Sequence, residues 1–166
     1  MKARSGVAAI LALAVAGTPL AAAEPCRFDH AVYGEPESGY TLRFMPLDPA
    51  RATSAGTLHV FEIVRPRRDK PLSGEIIGNN GVTRPHGFAS LDCPPEGADD
   101  DCIYWDGVVY ALGDRSAALL PRGDEPAPEV LLLSDFGRQI RYEDPDFDIG
   151  SDPLPWDVFA FKSCAP

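Results

Sequence analysis

Four aspartates near the end of the chain have the spacing of a cation-binding loop. Asp144, Asp146 and Asp148 alternate along the sequence, and Asp152 follows shortly after. Calcium takes several oxygen ligands, and a turning backbone can direct every second side chain to one ion. The match to a helix–loop–helix calcium motif is partial, because Ile149 stands where that motif needs glycine. These aspartates are therefore candidate metal ligands, with Ca²⁺ as the one cofactor suggested, but a solvated acidic loop is the favoured interpretation because incomplete motifs of this type often arise by chance.

A second acidic segment lies between two cysteines and leads into an aromatic pair. Its carboxylates are Glu96, Asp99, Asp100 and Asp101, and Tyr104-Trp105 follow. If Cys93 and Cys102 are bonded, the closed loop holds four like charges close together, which favours a bound cation or exposure to salt and water. Trp105 is predicted either as a core residue or as an exposed platform beside these acids. The four acids and Trp105 form the first candidate binding surface.

The one basic cluster of the chain is the segment 65–70. Arg65, Arg67 and Arg68 lie there with Lys70, between two strand-like stretches. A basic turn on an acidic protein can dock an anionic partner. A soluble turn without a partner is the alternative. The three arginines form the second candidate binding surface.

Catalytic patterns are weak. The chain contains no G-x-S-x-G nucleophile elbow. His86, in a Pro-His-Gly turn, is the best candidate for a general base. Asp106 and Asp157 each follow a tryptophan, and such a carboxylate pair would suit glycoside cleavage if the two faced each other. No catalytic residue is predicted, and the enzyme hypothesis is the less favoured one.

The four cysteines indicate disulfides. The sequence lacks C-x-x-C, and its three histidines are scattered, so a zinc site is disfavoured. Four cysteines allow three pairings. Position favours Cys26–Cys164, which would close almost the whole domain, and Cys93–Cys102, which would close a short loop. In the chain-entropy model the first bond contributes about 5 kcal/mol and the second about 2.7.

The first residues have the pattern of an export signal. Lys2 and Arg4 precede a short apolar run, and three alanines at 21–23 supply the small residues of a cleavage site. We predict a cleaved signal peptide over residues 1–23 and a periplasmic protein in a Gram-negative host, or a secreted one. The apolar run is too short to span a bilayer, so a membrane-embedded protein is not expected. Loss of the two basic residues takes the formal net charge from −10 to −12, which argues against nucleic acid as a partner.

Short β-branched and aromatic stretches separated by Pro and Gly make up the rest of the sequence. They predict about eight or nine short antiparallel strands in a single all-β domain, residues 24–166, folded as a β-sandwich or small β-barrel. No helix of ordinary length is expected. Pro85 should confine the strand around it to a sheet edge or a bulge.

These strands must position the candidate residues. Residues 57–64 and 71–78 should form a hairpin that carries the basic segment at its tip. Residues 129–134 and 139–142 should form another hairpin around a four-residue turn. The acidic segments fall between strands, on the loops where contacts with ligands and partners concentrate.

The leading hypothesis is an exported, disulfide-stapled, non-catalytic binding or accessory domain that engages a protein or another component of the cell envelope. Its expected contact surfaces are the acidic loops 92–101 and 143–152 and the basic tip 65–70. One alternative is a calcium-stabilised β-domain. A small glycan hydrolase is a less favoured alternative, because no recognisable catalytic constellation is present.

Overall fold

The structure, a computed structural model, describes residues 24–50, 52–78, 81, 83–93, 102–145 and 147–166. The predicted signal peptide lies outside the described residues. The all-β prediction is confirmed, but the described chain forms ten strands instead of eight or nine. They are β1 (Ala31–Gly34), β2 (Thr41–Met45), β3 (Thr57–Val64), β4 (Leu72–Ile77), β5 (His86–Ser90), β6 (Ile103–Gly107), β7 (Val109–Leu112), β8 (Ala117–Ala118), β9 (Val130–Leu133) and β10 (Val158–Cys164). A one-turn 3-10 helix (Phe28–His30) precedes β1, and helix α1 (Phe136–Glu143) follows β9.

The strands form one antiparallel sheet in the order β6-β5-β4-β3-β2-β1-β10-β9-β7-β8. Strands β1 to β6 are neighbours in the same order as along the chain, so this half is a series of hairpins. The predicted hairpin with the basic segment at its tip is confirmed as β3 and β4. Strand β10 lies between β1 and β9 and joins the two halves of the sheet.

The sheet curls into a half-barrel because of the connection between β6 and β7. These strands stand near opposite ends of the strand order, yet only Val108 separates them in the chain. One residue cannot cross a flat sheet whose strands lie about 4.8 Å apart, so the two ends must approach each other. Ser134 holds this crossing: its N–H donates to the Val108 carbonyl at 3.0 Å, and its hydroxyl accepts from the Val108 N–H at 2.8 Å.

The inner face of the curled sheet carries the core, as the period-two alternation of a strand requires. On β3, His59, Phe61 and Ile63 are buried, whereas Leu58 on the outer face is about half exposed. Aromatic rings in tilted or edge-to-face contact fill much of the interior: Phe28, Tyr33, Tyr40, Phe44, Phe61, Trp105, Phe136 and Phe159.

The predicted second hairpin is wrong after β9, because residues 136–143 form helix α1. Phe136 and Ile140 are both fully buried, and their four-residue spacing puts them on one face of a helix. Core packing of this face outweighs the strand-like appearance of the short sequence.

Among the described residues, no helix is long and apolar enough to cross a bilayer.

The start of α1 is fixed by contacts with the segment before β10. The Asp157 carboxylate accepts a hydrogen bond from the Gly137 N–H at 2.9 Å, which satisfies one of the free donors of the first helical turn. A Cβ on Gly137 would lie 2.1 Å from the Pro155 carbonyl oxygen. This close approach therefore requires glycine.

Two disulfides join Cys26 to Cys164 and Cys93 to Cys102, the pairing that position favours. The first bond attaches the segment before β1 to the end of β10.

The expectation about Pro85 needs correction, because β5 begins at the next residue, His86, and lies between β4 and β6. A proline immediately before a strand removes no hydrogen bond from its ladder.

Candidate functional site

The basic tip and the second acidic loop, predicted as separate surfaces, are partners of each other. Arg65 pairs with Asp144 at 2.9 Å, and both side chains are almost fully buried, 3% and 2% exposed. Arg68 and Arg67 lie 2.8 and 3.6 Å from Asp152. Arg65 therefore does not form part of a docking surface, because its guanidinium is enclosed and faces a carboxylate of the same chain.

Asp144, Asp148 and Asp152, the calcium-loop aspartates that the structure describes, have different partners. Asp144 is buried and faces Arg65. Asp148 accepts hydrogen bonds from the Gly150 N–H and the Ser151 hydroxyl, and these two bonds, the first more than the second, lower its pKa. The pKa of Asp152 lies below its usual range, mainly because its carboxylate accepts a hydrogen bond from the Asp148 N–H and secondly because it pairs with Arg68. Within the described part of the chain, no three metal-ligating side chains come together; Asp146 lies outside it.

The first candidate surface loses its aromatic member. Trp105 is fully buried, with its indole N–H donating to the Ser134 carbonyl at 2.9 Å. An enclosed ring offers no platform to a ligand, so the exposed alternative for Trp105 is wrong. Trp156 is the exposed one, at 63%, and donates to Glu37 at 3.0 Å. The carboxylates Glu96, Asp99, Asp100 and Asp101 lie outside the described residues.

A cavity of about 650 Å³, here called the α1 cavity, opens between α1 and the outer face of β5 and β6. The residues that line it are His86, Phe88, Ile103, Asp106, Arg138, Gln139 and Glu143. Two of the sequence candidates meet there: His86 Nε2 lies 3.4 Å from Asp106 Oδ2. Both side chains are about half exposed, so water and salt screen this pair.

Gln139 joins helix and sheet at this cavity. Its side-chain oxygen accepts from the Asp106 N–H, and its side-chain nitrogen donates to the Asp106 carbonyl, both at 2.8 Å. A neighbouring strand would make the same two bonds, so Gln139 occupies part of the free edge of β6. The cavity wall is therefore built from two elements that are fixed to each other.

A second cavity of about 360 Å³, here called the β4 cavity, lies beside the first on the same outer face. Phe88 lines both cavities and forms their common wall. Glu75 lines the β4 cavity, and its carboxylate accepts from the Thr53 N–H, the Thr53 hydroxyl and the Thr57 hydroxyl at 2.7 to 3.1 Å. Three donors thus hold one carboxylate in place on the cavity wall.

Asp106 and Asp157, the predicted glycosidase pair, have different partners. The Asp106 carboxylate lies beside His86, whereas Asp157 accepts from the Gly137 N–H and caps α1. A carboxylate engaged as a helix cap is poorly placed to serve as a nucleophile or acid.

The histidines other than His86 lie apart from the α1 cavity. His59 packs edge-on against Phe28 and Phe44, as expected for a residue on the core face of β3. Burial lowers the pKa of His59 to about 4, so this imidazole is neutral at physiological pH. His30 contacts Asp29 at 3.8 Å on the one-turn helix before β1.

Sequence reasoning missed Glu75, Phe88, Gln139 and Glu143 as members of a site. For Glu75 and Phe88 a signal was present, because each occupies an outward position in an alternating strand. For Gln139 and Glu143 the signal was the four-residue spacing that places them on one helix face, which becomes visible only once the segment is assigned to a helix.

No protein-family model, curated protein or solved structure matches this chain. Its function is therefore argued from the geometry of the described residues.

Proposed function

We propose that the protein is an exported, non-catalytic binding domain that holds a small polar ligand or a protruding group of an envelope component in the α1 cavity. It would act in the periplasm of a Gram-negative host, or outside the cell. The two disulfides support such a location, because oxidising compartments preserve them.

The observation that carries the proposal is the construction of the α1 cavity. Its volume lies within the usual range for ligand pockets, and an aromatic ring, an imidazole, an amide and charged groups line it. The double hydrogen bond between Gln139 and Asp106 fixes its two walls before any ligand arrives, which reduces the entropy cost of binding.

Binding is favoured over catalysis by the residue types in the cavity. None of the seven lining residues carries a hydroxyl or thiol nucleophile, and all four cysteines are in disulfides. The hydrolase alternative retains Asp106 but lacks Asp157, which caps α1.

Amide NMR spectra of the disulfide-bonded protein provide the test. The protein is titrated with a panel of amines, amino acids, short peptides and envelope sugars, and we expect at least one class to shift the signals of His86, Phe88, Asp106 and Gln139. The variant Gln139→Ala should weaken that response, whereas Glu62→Gln, on the outer face but not among the residues that line either cavity, should leave it unchanged. A panel that shifts only residues elsewhere, or none, would count against the α1 cavity as the binding site.

A further inference from the structure

Five outward side chains form a row across the sheet that connects the two cavities. The directly opposed pairs are Met45–Val60, Val60–Glu75, Glu75–Phe88 and Phe88–Asp106. Such pairs have Cβ atoms about 5 Å apart on one face of a sheet. Phe88 therefore lies between two carboxylates of the row, those of Glu75 and Asp106.

The distance between these carboxylates follows from the strand spacing. Glu75 and Asp106 are two strands apart, so their backbones lie about 10 Å from each other. Three hydrogen bonds hold Glu75, and they use three of the roughly four acceptor positions of a carboxylate. Oε1 accepts only from the Thr53 N–H, so the remaining acceptor position lies on this oxygen, in a residue that lines the β4 cavity and is 8% exposed.

The charges around the row favour a cationic ligand. The two cavities are lined by the carboxylates of Asp48, Glu75, Asp106 and Glu143 and by one guanidinium, that of Arg138. The Arg138 guanidinium is paired with Asp135 at 2.6 Å, so the four carboxylates outnumber one cation that already has an anionic partner. Phe88 lies between the two carboxylates and offers an apolar surface to the part of a ligand that joins its charged ends.

We propose that the two cavities together bind a linear ligand with an amine at each end and an apolar linker, of the diamine or polyamine class. One ammonium pairs with Glu75 and the other with Asp106, while the methylene linker crosses the Phe88 ring. This assignment rests on the proposed function, because it specifies the ligand of the α1 cavity and its extension into the β4 cavity.

The test is calorimetric titration at low salt with diamines of increasing length, from propanediamine to octanediamine. Hexylamine and hexanediol serve as controls with one charge and no charge. We expect an affinity maximum at an intermediate length and binding of hexylamine that is weaker by about tenfold or more, since a charge-assisted hydrogen bond is lost. Added salt should weaken diamine binding more than hexylamine binding.

Variants assign the two ends of the ligand. Asp106→Asn and Glu75→Gln should each reduce diamine affinity to the level of hexylamine, whereas the matched variant Glu62→Gln should change nothing. If Glu75→Gln does not fold, the length dependence and the difference in salt response of the unmodified protein remain as the test.

Equal affinities for hexylamine and the best diamine would overturn the assignment, as would diamine-induced NMR shifts outside the row. Shifts in the α1 cavity with neutral sugars but none with diamines would overturn this inference and leave the proposed function standing. Absence of shifts in the cavity with every compound would overturn both.

Discussion

The buried pair of Arg65 and Asp144 should be the most sensitive electrostatic contact among the described residues. Asp144→Asn removes one charge and leaves the guanidinium enclosed at 3% exposure. At charge centres roughly 4 Å apart and an effective dielectric of 20, the attraction is about 4 kcal/mol. Removal of one partner from a buried pair typically costs 3–5 kcal/mol, because the other charge stays desolvated. We therefore expect the free energy of unfolding to fall by about 3–5 kcal/mol.

The exposed pair of Arg43 and Glu62 is the matched control. These side chains lie 3.8 Å apart and are 47% and 31% exposed. Glu62→Gln should cost about 0–1 kcal/mol, the usual value for a surface ion pair. Urea denaturation of the disulfide-bonded proteins, followed by tryptophan fluorescence, measures both variants on one scale.

A double variant distinguishes two causes of the stability loss in Asp144→Asn: the lost attraction between the two side chains and the uncompensated buried charge of Arg65. Arg65→Met with Asp144→Leu replaces both charges with apolar groups, and it should recover much of the stability lost in Asp144→Asn. The reasoning fails if Asp144→Asn costs no more than Glu62→Gln, or if the double variant is less stable than Asp144→Asn.

Three further perturbations test the core, the helix start and the disulfides. Because the pKa of His59 is lowered from 6.5 to about 4 by folding, the unfolded chain binds more protons than the folded chain between these pH values. The free energy of unfolding should therefore fall by up to about 3 kcal/mol as the pH drops through this window, and the fall is measured as a lower Tm. Gly137→Ala should lower the unfolding free energy by about 1–3 kcal/mol or more in urea denaturation, because the added Cβ meets the Pro155 carbonyl. Removal of the Cys26–Cys164 bond, which spans 138 residues, should lower Tm more than removal of Cys93–Cys102, which spans 9, in proportion to losses of about 5 and 2.7 kcal/mol.

Each of these expectations has its own control. His59→Gln should flatten the pH dependence, and an unaltered slope in this variant would assign the effect to other groups. Gly113→Ala should be nearly neutral, because its Cβ would lie 3.6 Å from the Ser116 carbonyl oxygen, an ordinary van der Waals contact. A similar loss at both glycines would refute the steric argument. Equal Tm losses for the two disulfides would contradict the loop-length argument.

The strands were predictable because the alternation of apolar and polar residues that indicates a strand can be seen within a few adjacent positions. β2 and β3 show buried and exposed positions in turn, and the turn between β3 and β4 carries the basic residues that mark a loop. The helix was missed because its two core residues, Phe136 and Ile140, lie within a short segment that also resembles a strand. Eight residues give too few periods for the pattern to decide.

The candidate site was less predictable because it depends on contacts between distant segments. Arg65 and Asp144 are 79 positions apart, so nothing local shows that they neutralise each other. The sequence singled out His86 and Asp106 separately, and only the register of β5 with β6 brings them together. The row through Phe88 needs four such registers at once.

The position of β10 has a consequence for incomplete or truncated chains. Removal of this strand would not trim the sheet at its margin but would divide it in the middle, leaving β1 and β9 each with an unpaired edge. Exposed edges of this kind pair with other chains. Folding intermediates that have formed the hairpins of β1 to β6 but have not yet docked β10 should thus be the species most prone to aggregate, and closure of Cys26–Cys164 should be the step that removes them.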